Sequence, residues 1–120
     1  MNPLGEKKKL EDSLVEEIRL KLEAEGWHTE KTHGSMYMKG WPDLYAMHPV
    51  HKSRWIEVKR REEGALEETQ RKKFLLWAKH GVGVYILCGP EELGRLFGPP
   101  NWHLWMDNKT RRIITRRGKR

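Results

Sequence analysis

The sequence is poor in cysteine and has no long apolar run. Its single cysteine, Cys88, excludes an internal disulfide bond and argues against a cysteine-based zinc site. No run of 18 apolar residues occurs, so neither a transmembrane helix nor a membrane partner is predicted. Residues 1–9 are charged and lack the apolar stretch of a secretory signal peptide. Together these absences favour a cytoplasmic protein.

Several catalytic signatures are absent too. His48 and His51 are three residues apart, but Pro49 lies between them and prevents both from lying on one helical face. The sequence contains no HExxH spacing, no glycine-rich phosphate loop and no Ser-His-Asp order. Zinc hydrolase, P-loop nucleotide-binding and serine hydrolase chemistry are therefore disfavoured.

The positive charge is concentrated in one segment of the chain. The sequence carries 24 Lys and Arg against 17 Asp and Glu, a net charge of +7. Residues 109–120 hold seven of the basic side chains and no acidic one, so the remainder is balanced. Such a segment favours contact with nucleic acid, and the alternative is a solvated tail that aids solubility. The candidate DNA-binding residues in it are Lys109, Arg111, Arg112, Arg116, Arg117, Lys119 and Arg120.

The apolar patterns predict one α/β domain over residues 1–120. Apolar residues at steps of three and four predict a helix over 10–25 that Gly26 ends. The other predicted elements are strands at 27–32, 43–48 and 54–60, a helix at 67–80 ended by Gly81, a buried strand at 82–87, a short helix at 91–96, and short strands at 102–106 and 112–115. The order α-β-β-β-α-β predicts a mixed central sheet flanked by helices. This core spans about 10–88, and residues 89–120 form an extension with a basic C-terminal β-hairpin and tail.

Charged residues interrupt the two apolar strands in the middle of the sequence. Asp43 opens the first, and Glu57 and Lys59 share one face of the second, because side chains at i and i+2 point the same way. A hairpin around residues 49–53 would place Asp43 nearly opposite Lys59 and diagonal to Glu57. Two carboxylates at that spacing could share a Mg²⁺ ion, which prefers oxygen ligands. A salt bridge from Lys59 to either carboxylate is compatible with this role.

Two polar helix residues are further candidates. Glu11 lies on the line of the first helix's core-facing stripe, one turn before the stripe begins. The alternative for Glu11 is an ordinary first-turn charge favoured by the helix dipole. Gln70 is the only glutamine of the sequence and is predicted in the first turn of the second helix. It could hold a water or a phosphate, and a surface helix position is the alternative.

The flanking basic and aromatic residues have a less specific pattern. Arg60 and Arg61 extend the basic character beyond Lys59 towards a phosphate path, or are solvated loop charges. The six tryptophans could stack on unpaired bases. Trp27, Trp55 and Trp77 occupy core-like positions, so a structural role is the better prediction for them.

These motifs resemble the PD-(D/E)XK nuclease superfamily, and within it the VRR-NUC domains and archaeal-type Holliday junction resolvases. The resemblance rests on Glu11, the Pro-Asp of Asp43, the Glu-x-Lys of residues 57–59, and Gln70. It implies a restriction-endonuclease-like fold. It also implies Mg²⁺, with Mn²⁺ expected to substitute, held by Asp43, Glu57 and the Val58 carbonyl, with Glu11 assisting through water.

The resemblance implies roles for the remaining residues as well. Lys59 would position the attacking water, and Glu11 and Gln70 would complete the catalytic set. Ser35 would match a serine that is often functional in junction resolvases. The resemblance further implies a homodimer, bacterial or phage-encoded, that acts on branched or double-stranded DNA.

Two classes of function follow from these residues. The first is a metal-dependent DNA endonuclease, with paired symmetric nicking of four-way junctions as the favoured form and a nicking or restriction-type nuclease as the alternative. The second is a non-catalytic basic DNA-binding module in which the acidic residues only form salt bridges.

Overall fold

The computed structural model describes residues 3–32, 38–61 and 65–106, with side chains from residue 10 onwards. Its elements are helix α1 (Pro3–Ala24), strands β1 (His28–Lys31), β2 (Leu44–His48) and β3 (Lys52–Val58), helix α2 (Glu68–Lys79), strand β4 (Val84–Leu87), and two 3-10 helices at Pro90–Phe97 and Trp102–Trp105. The predicted order α-β-β-β-α-β is therefore confirmed.

The four strands form one mixed sheet in the order β1-β2-β3-β4. The first three strands are antiparallel neighbours, and β4 is parallel to β3 because α2 forms the crossover between them. All four residues of β4 are buried, as the continuous apolar run predicted for a strand covered on both faces.

Each face of the sheet is covered by one helix and one 3-10 segment. On one face, Val15, Ile18 and Leu22 of α1 pack with Leu93 and Leu96 of the first 3-10 helix against the sheet. On the other face the core consists of Leu66, Phe74, Val84, Ile86 and Trp105, with partly buried tryptophans around them. The fold is thus the predicted mixed sheet flanked by helices.

The helix boundaries agree with the predicted ends but not with one predicted start. The N–H of Trp27 donates to the Leu22 carbonyl at 3.0 Å, and the N–H of Val82 donates to the Trp77 carbonyl at 2.9 Å. Both bonds wrap around a glycine that follows the last helical turn. Helix α1, however, begins at Pro3 rather than near residue 10, since proline is well tolerated in a first helical turn.

The strand predicted at residues 102–106 is wrong, because this segment is the 3-10 helix Trp102–Trp105. The edge of β4 that a further strand would have paired is occupied by one side chain. Asn101 accepts from the Ile86 N–H at 2.7 Å and donates to the Ile86 carbonyl at 2.9 Å. Trp105 then turns inward and becomes buried. The strand predicted at 112–115 and the basic tail lie outside the described residues.

The predicted hairpin exists, but its register differs by two residues. Strand β2 pairs with β3 so that Leu44 faces Ile56 and His48 faces Lys52. The connection is short because Lys52 adopts a left-handed backbone, with φ of 71°. Asp43 therefore lies opposite Glu57 and not Lys59. A shift of two preserves the face of every side chain, so the carboxylates still lie on one side of the sheet.

No helix in the described part of the chain combines the length and apolar character needed to cross a membrane.

Candidate active site

Glu57 is the centre of the polar cluster at the end of β3. Its side chain is 2 % exposed, and its hydrogen bond and its ion pair both involve one carboxylate oxygen. Oε2 accepts from the Gln70 side-chain amide at 2.8 Å and lies 3.2 Å from the Lys59 ammonium. Oε1 is buried and has no hydrogen-bond partner among the described residues. A buried carboxylate oxygen without a partner is costly, so it marks a position where a ligand would be stabilising.

The environment of Glu57 disfavours its charged form. Burial, followed by the negative charge of Asp43, raises the pKa of Glu57 from 4.5 to about 8. Lys59 and the hydrogen bond from Gln70 act in the opposite direction but do not compensate. A cation placed beside the two carboxylates would reverse this balance, because an opposite charge favours ionisation.

Asp43 is held beside Glu57 by the backbone of the neighbouring strands. Its Oδ2 accepts from the Val58 N–H at 2.8 Å, and its own carbonyl accepts from the Thr32 N–H at 3.0 Å. The hydroxyl of Thr32, which is buried, donates to the Pro42 carbonyl. Since the N–H and C=O of one strand residue point to the same side, the Val58 carbonyl also points towards Asp43.

The segment that leads into Asp43 packs tightly against α2. Gly40 has φ of 82°, a region that other residues rarely adopt, and a Cβ there would lie 2.9 Å from the Thr69 side chain. Glycine at this position therefore allows the loop to approach the first turn of α2, the same turn that carries Gln70.

Lys59 follows β3 and is buried, with only 10 % of its side chain exposed. Its N–H donates to the Leu87 carbonyl at 3.0 Å, which extends the β3–β4 pairing by one residue. The strand backbone therefore fixes Lys59 on the face of Glu57, two residues away, as the alternation predicted.

Glu11 reaches the same cluster from α1. It lies one turn before Val15, on the face that packs against the sheet, and it interacts electrostatically with Lys59, Asp43 and Arg60. Partial burial is the main cause of its raised pKa, which Lys59 opposes and Asp43 reinforces. The structure thus brings the predicted helix carboxylate close to Asp43 and Lys59.

Gln70 has a double role that orients its amide. Its Oε1 accepts from the Glu67 N–H at 3.2 Å, as part of a capping box at the start of α2. The amide nitrogen is consequently directed at Glu57. Gln70, which is partly buried, therefore links the helix terminus to the buried carboxylate.

The two arginines that follow Lys59 separate in the structure. Arg60 interacts electrostatically with Glu11 and so lies beside the cluster. Arg61 points to the first 3-10 helix, where its guanidinium donates to Glu92 at 2.7 Å. The predicted residue Ser35 and the seven basic residues of 109–120 lie outside the described residues.

Two supporting contacts were missed from the sequence. Thr32 is an unremarkable polar residue at the end of a strand, and nothing in its pattern indicates that it braces Pro42 and Asp43. The capping box had a weak signal, a glutamine three residues after a candidate N-cap, but a glutamate at the cap is not one of the strongly preferred residue types.

The donors present suit a hard divalent cation with few protein ligands. Among the described residues, no group of three His, Cys, Asp or Glu side chains is arranged to hold a metal ion. Asp43, Glu57 and the Val58 carbonyl supply two carboxylates and one carbonyl, all of them oxygen donors. Mg²⁺ is commonly held by one or two carboxylates while keeping several waters, so this set fits it.

Comparisons with known proteins agree with this description. A scan against protein-family models finds no match, and a search of curated proteins finds none either. Among solved structures, the chain is similar to one described as a VRR-NUC domain, with a TM-score of 0.61 and 22 % sequence identity. The likeness covers 72 % of this chain and 92 % of the other. The chain therefore has the fold of a VRR-NUC domain, the restriction-endonuclease-like architecture that its motifs predicted.

Proposed function

We propose that the protein is a Mg²⁺-dependent DNA endonuclease that cleaves branched DNA, with four-way junctions as the preferred substrate. The observation that carries this proposal is the buried Glu57 carboxylate, whose Oε1 has no hydrogen-bond partner among the described residues and which lies opposite Asp43. The VRR-NUC fold and the PD-(D/E)XK motif on the same residues support nuclease chemistry over other uses of such a site.

Each residue of the cluster has a distinct task in phosphodiester hydrolysis. Asp43, Glu57 and the Val58 carbonyl would hold the ion, with Glu11 assisting through water. When bound, Mg²⁺ would supply charge neutralisation at the phosphate and a lower pKa for a nearby water. The Lys59 ammonium would orient the attacking water and stabilise negative charge on the phosphate. Gln70 keeps Glu57 in place through its 2.8 Å hydrogen bond.

The preference for junctions rests on size and symmetry. A domain of this size has little surface for reading a base sequence, whereas two copies related by a two-fold axis would present two sites to opposed strands. A homodimer is therefore part of this proposal. Arg60 and the basic residues of 109–120 would contribute phosphate contacts.

The test is cleavage of a labelled four-way junction and a matched linear duplex by the full chain, in Mg²⁺ or in EDTA. Paired symmetric cuts in the junction alone, absent in EDTA, are the expected result. Comparable cutting of the linear duplex would replace junction resolution with a general nicking or restriction-type nuclease. Binding without any cutting, in Mg²⁺ or Mn²⁺, would leave a non-catalytic DNA-binding module and contradict the proposal.

A further inference from the structure

An apolar pocket lies on the same face of the sheet as the carboxylates. It is an open depression of about 330 Å³, lined by Trp41, Trp55, Leu76, Trp77, His80 and Val82. The three indole rings meet edge to face, with centroids 5.1–5.5 Å apart. This volume is at the lower end of the range for small-molecule pockets. The sequence favoured a structural role for Trp55 and Trp77, but the structure leaves both partly exposed at this opening.

The pocket is adjacent to the candidate active site along both strands of the hairpin. Asp43 and Glu57 lie opposite each other, and Tyr45 and Trp55 form the next pair on the same face. The rings of this second pair are 4.3 Å apart. Two residues of a strand span about 6.6 Å, so the pocket wall begins roughly that far from the carboxylates.

Helix α2 gives the same placement independently. Gln70 contacts Glu57, and Trp77 is seven residues further along, on the same helical face. That separation corresponds to about 10 Å along the helix axis. A stacked DNA strand advances about 3.4 Å per nucleotide, so the pocket lies two to three nucleotides from the carboxylates.

The polar groups at the pocket suit a nucleotide. The Lys73 ammonium lies 6.0 Å from the centroid of the Trp41 ring, where it could pair with a phosphate while a base enters the pocket. Nδ1 of His80 lies 3.0 Å from the Leu76 carbonyl, which can only accept, so Nδ1 carries the proton. In the neutral ring Nε2 is then an acceptor for an exocyclic amino group of a base.

We propose that this aromatic pocket binds an unpaired base of the DNA strand, two to three nucleotides from the phosphate that is cut. The inference rests on the proposed nuclease function and narrows its substrate to DNA with locally unpaired nucleotides, such as the branch point of a junction or a single-stranded overhang. Stacking on aromatic rings tolerates every base, so the pocket contributes selectivity for unpaired structure rather than for sequence.

The substrate-side test uses the unaltered protein. Binding of a fluorescein-labelled duplex with a single-stranded overhang is measured by anisotropy in EDTA, with an abasic residue placed at each overhang position in turn. An abasic residue near the duplex end should weaken binding by about 5- to 150-fold, the range for losing one stacked base, with little effect elsewhere. Equal binding of every abasic substrate would overturn the proposal.

The protein-side test uses two neighbouring leucines of α2. Leu76 lines the pocket and is 54 % exposed, whereas Leu75 is 46 % exposed and does not line it. Leu76→Glu and Leu75→Glu change the net charge equally. Leu76→Glu should weaken binding of the normal overhang and abolish the effect of the abasic residue, while Leu75→Glu should retain that effect. Identical behaviour of the two variants would contradict the proposal.

Sedimentation tests whether a second copy of the chain, rather than a base, covers the pocket. If Leu76→Glu alone dissociates a dimer and no abasic position matters, the pocket is covered by a second copy of the chain and the proposal is wrong. Cleavage by Asp43→Asn protein tests the nuclease proposal separately from the base-binding proposal. Undiminished cleavage by that variant would refute the nuclease site without affecting the base-binding result, which needs no metal.

Discussion

Glu57 and Glu92 both have largely buried side chains, but their carboxylate oxygens have different hydrogen-bond partners. Glu92, in the first 3-10 helix, has a partner for each oxygen: Oε2 accepts from Arg61 at 2.7 Å, and Oε1 accepts from the Cys88 N–H at 2.8 Å. Glu57 directs one oxygen to Gln70 and Lys59 and leaves the other buried without a partner among the described residues. Their side chains are similarly hidden, at 9 % and 2 % exposed.

The difference separates a carboxylate that stabilises the fold from one that is available to a ligand. The cluster of Glu92 links the loop after β3 to the segment after β4, and burial there raises the pKa of the Cys88 thiol to about 12, which disfavours the thiolate form. At Glu57 a similar depth of burial is combined with a second carboxylate, Asp43, and an incomplete set of hydrogen bonds. Two adjacent carboxylates, one of which has a buried oxygen without a partner among the described residues, are unfavourable by themselves, and a bound cation would stabilise them.

Substitution of the carboxylates should have the largest effect, on cleavage at one site and on stability at the other. Glu57→Gln and Asp43→Asn should each reduce DNA cleavage by at least about 100-fold, since a ligand is lost. DNA binding should be retained in both, and Asp43→Asn should strengthen it, because that change removes a negative charge near phosphate. Glu92→Gln should retain cleavage and lower the free energy of unfolding by about 1–3 kcal/mol, because the Arg61 ion pair is weakened. Junction cleavage and urea unfolding measure the two effects. Loss of cleavage in Glu92→Gln with normal cleavage in Glu57→Gln would reverse the assignment.

In metal-free protein, the pH dependence of stability should reveal the perturbed carboxylate of Glu57. Because the pKa of Glu57 is raised to about 8 from 4.5, the folded state binds its proton more tightly than the unfolded state. Stability should therefore fall as pH rises from about 4.5 to about 8, by a few kcal/mol in total, and then level off. Urea unfolding of the wild type and of Glu57→Gln in EDTA isolates this contribution as a difference. Parallel pH profiles for the two proteins would show that Glu57 is not perturbed.

Substitution of Gln70 should have a smaller effect on cleavage, because Gln70 acts only through Glu57. Gln70→Ala removes the donor to Glu57, so cleavage should fall by about 10- to 100-fold, and loss of the capping interaction should cost about 0.5–2 kcal/mol of stability. The control is Glu68→Ala, in the same turn, which replaces a 72 % exposed residue and should leave cleavage unchanged. Steady-state cleavage rates and thermal unfolding measure both. Equal cleavage by the two variants would assign Gln70 to the helix cap alone.

Removal of the basic residues of 109–120 should have the smallest effect, because it should weaken DNA binding and leave both glutamate sites unchanged. A chain truncated after residue 108 should bind DNA more weakly, and its log–log salt slope should be reduced by about 0.9 for each phosphate that the removed residues had neutralised. Its Mg²⁺ affinity and its pH profile of stability should be those of the full chain. Anisotropy titrations at several salt concentrations measure the slope. An unchanged slope would mean that this segment does not bind phosphate.

Local patterns were sufficient to predict most of the fold. The stripe ending in Leu22 predicted α1, because its apolar residues recur at the helical period and a glycine follows. The continuous apolar run at 82–87 predicted a strand buried on both faces. The segment at 102–106 was predicted wrongly since short aromatic runs suit a strand or a tight helix equally. Asn101 decided the outcome by occupying the edge of β4 with its side chain, an interaction that depends on tertiary structure.

The sequence predicted that several candidate residues lie close together, but it did not predict how they are arranged. Alternation placed Glu57 and Lys59 on one face, and the helical period placed Glu11 towards the sheet. The pairing of Asp43 with Glu57 could not be predicted, because the register depends on the left-handed conformation of Lys52 in the turn. The aromatic pocket was missed for a similar reason: its three tryptophans are distant in sequence, and only their packing shows that they form an opening beside the carboxylates.

The most direct test of the metal site at Glu57 is calorimetric titration of Mg²⁺ into the protein without DNA, for the wild type, Glu57→Gln and Glu92→Gln. Mg²⁺ should bind to the wild type and to Glu92→Gln, and its affinity should be at least about ten-fold weaker in Glu57→Gln. Equal Mg²⁺ affinity in all three proteins would contradict the claim that the buried, incompletely bonded oxygen of Glu57 is a metal ligand.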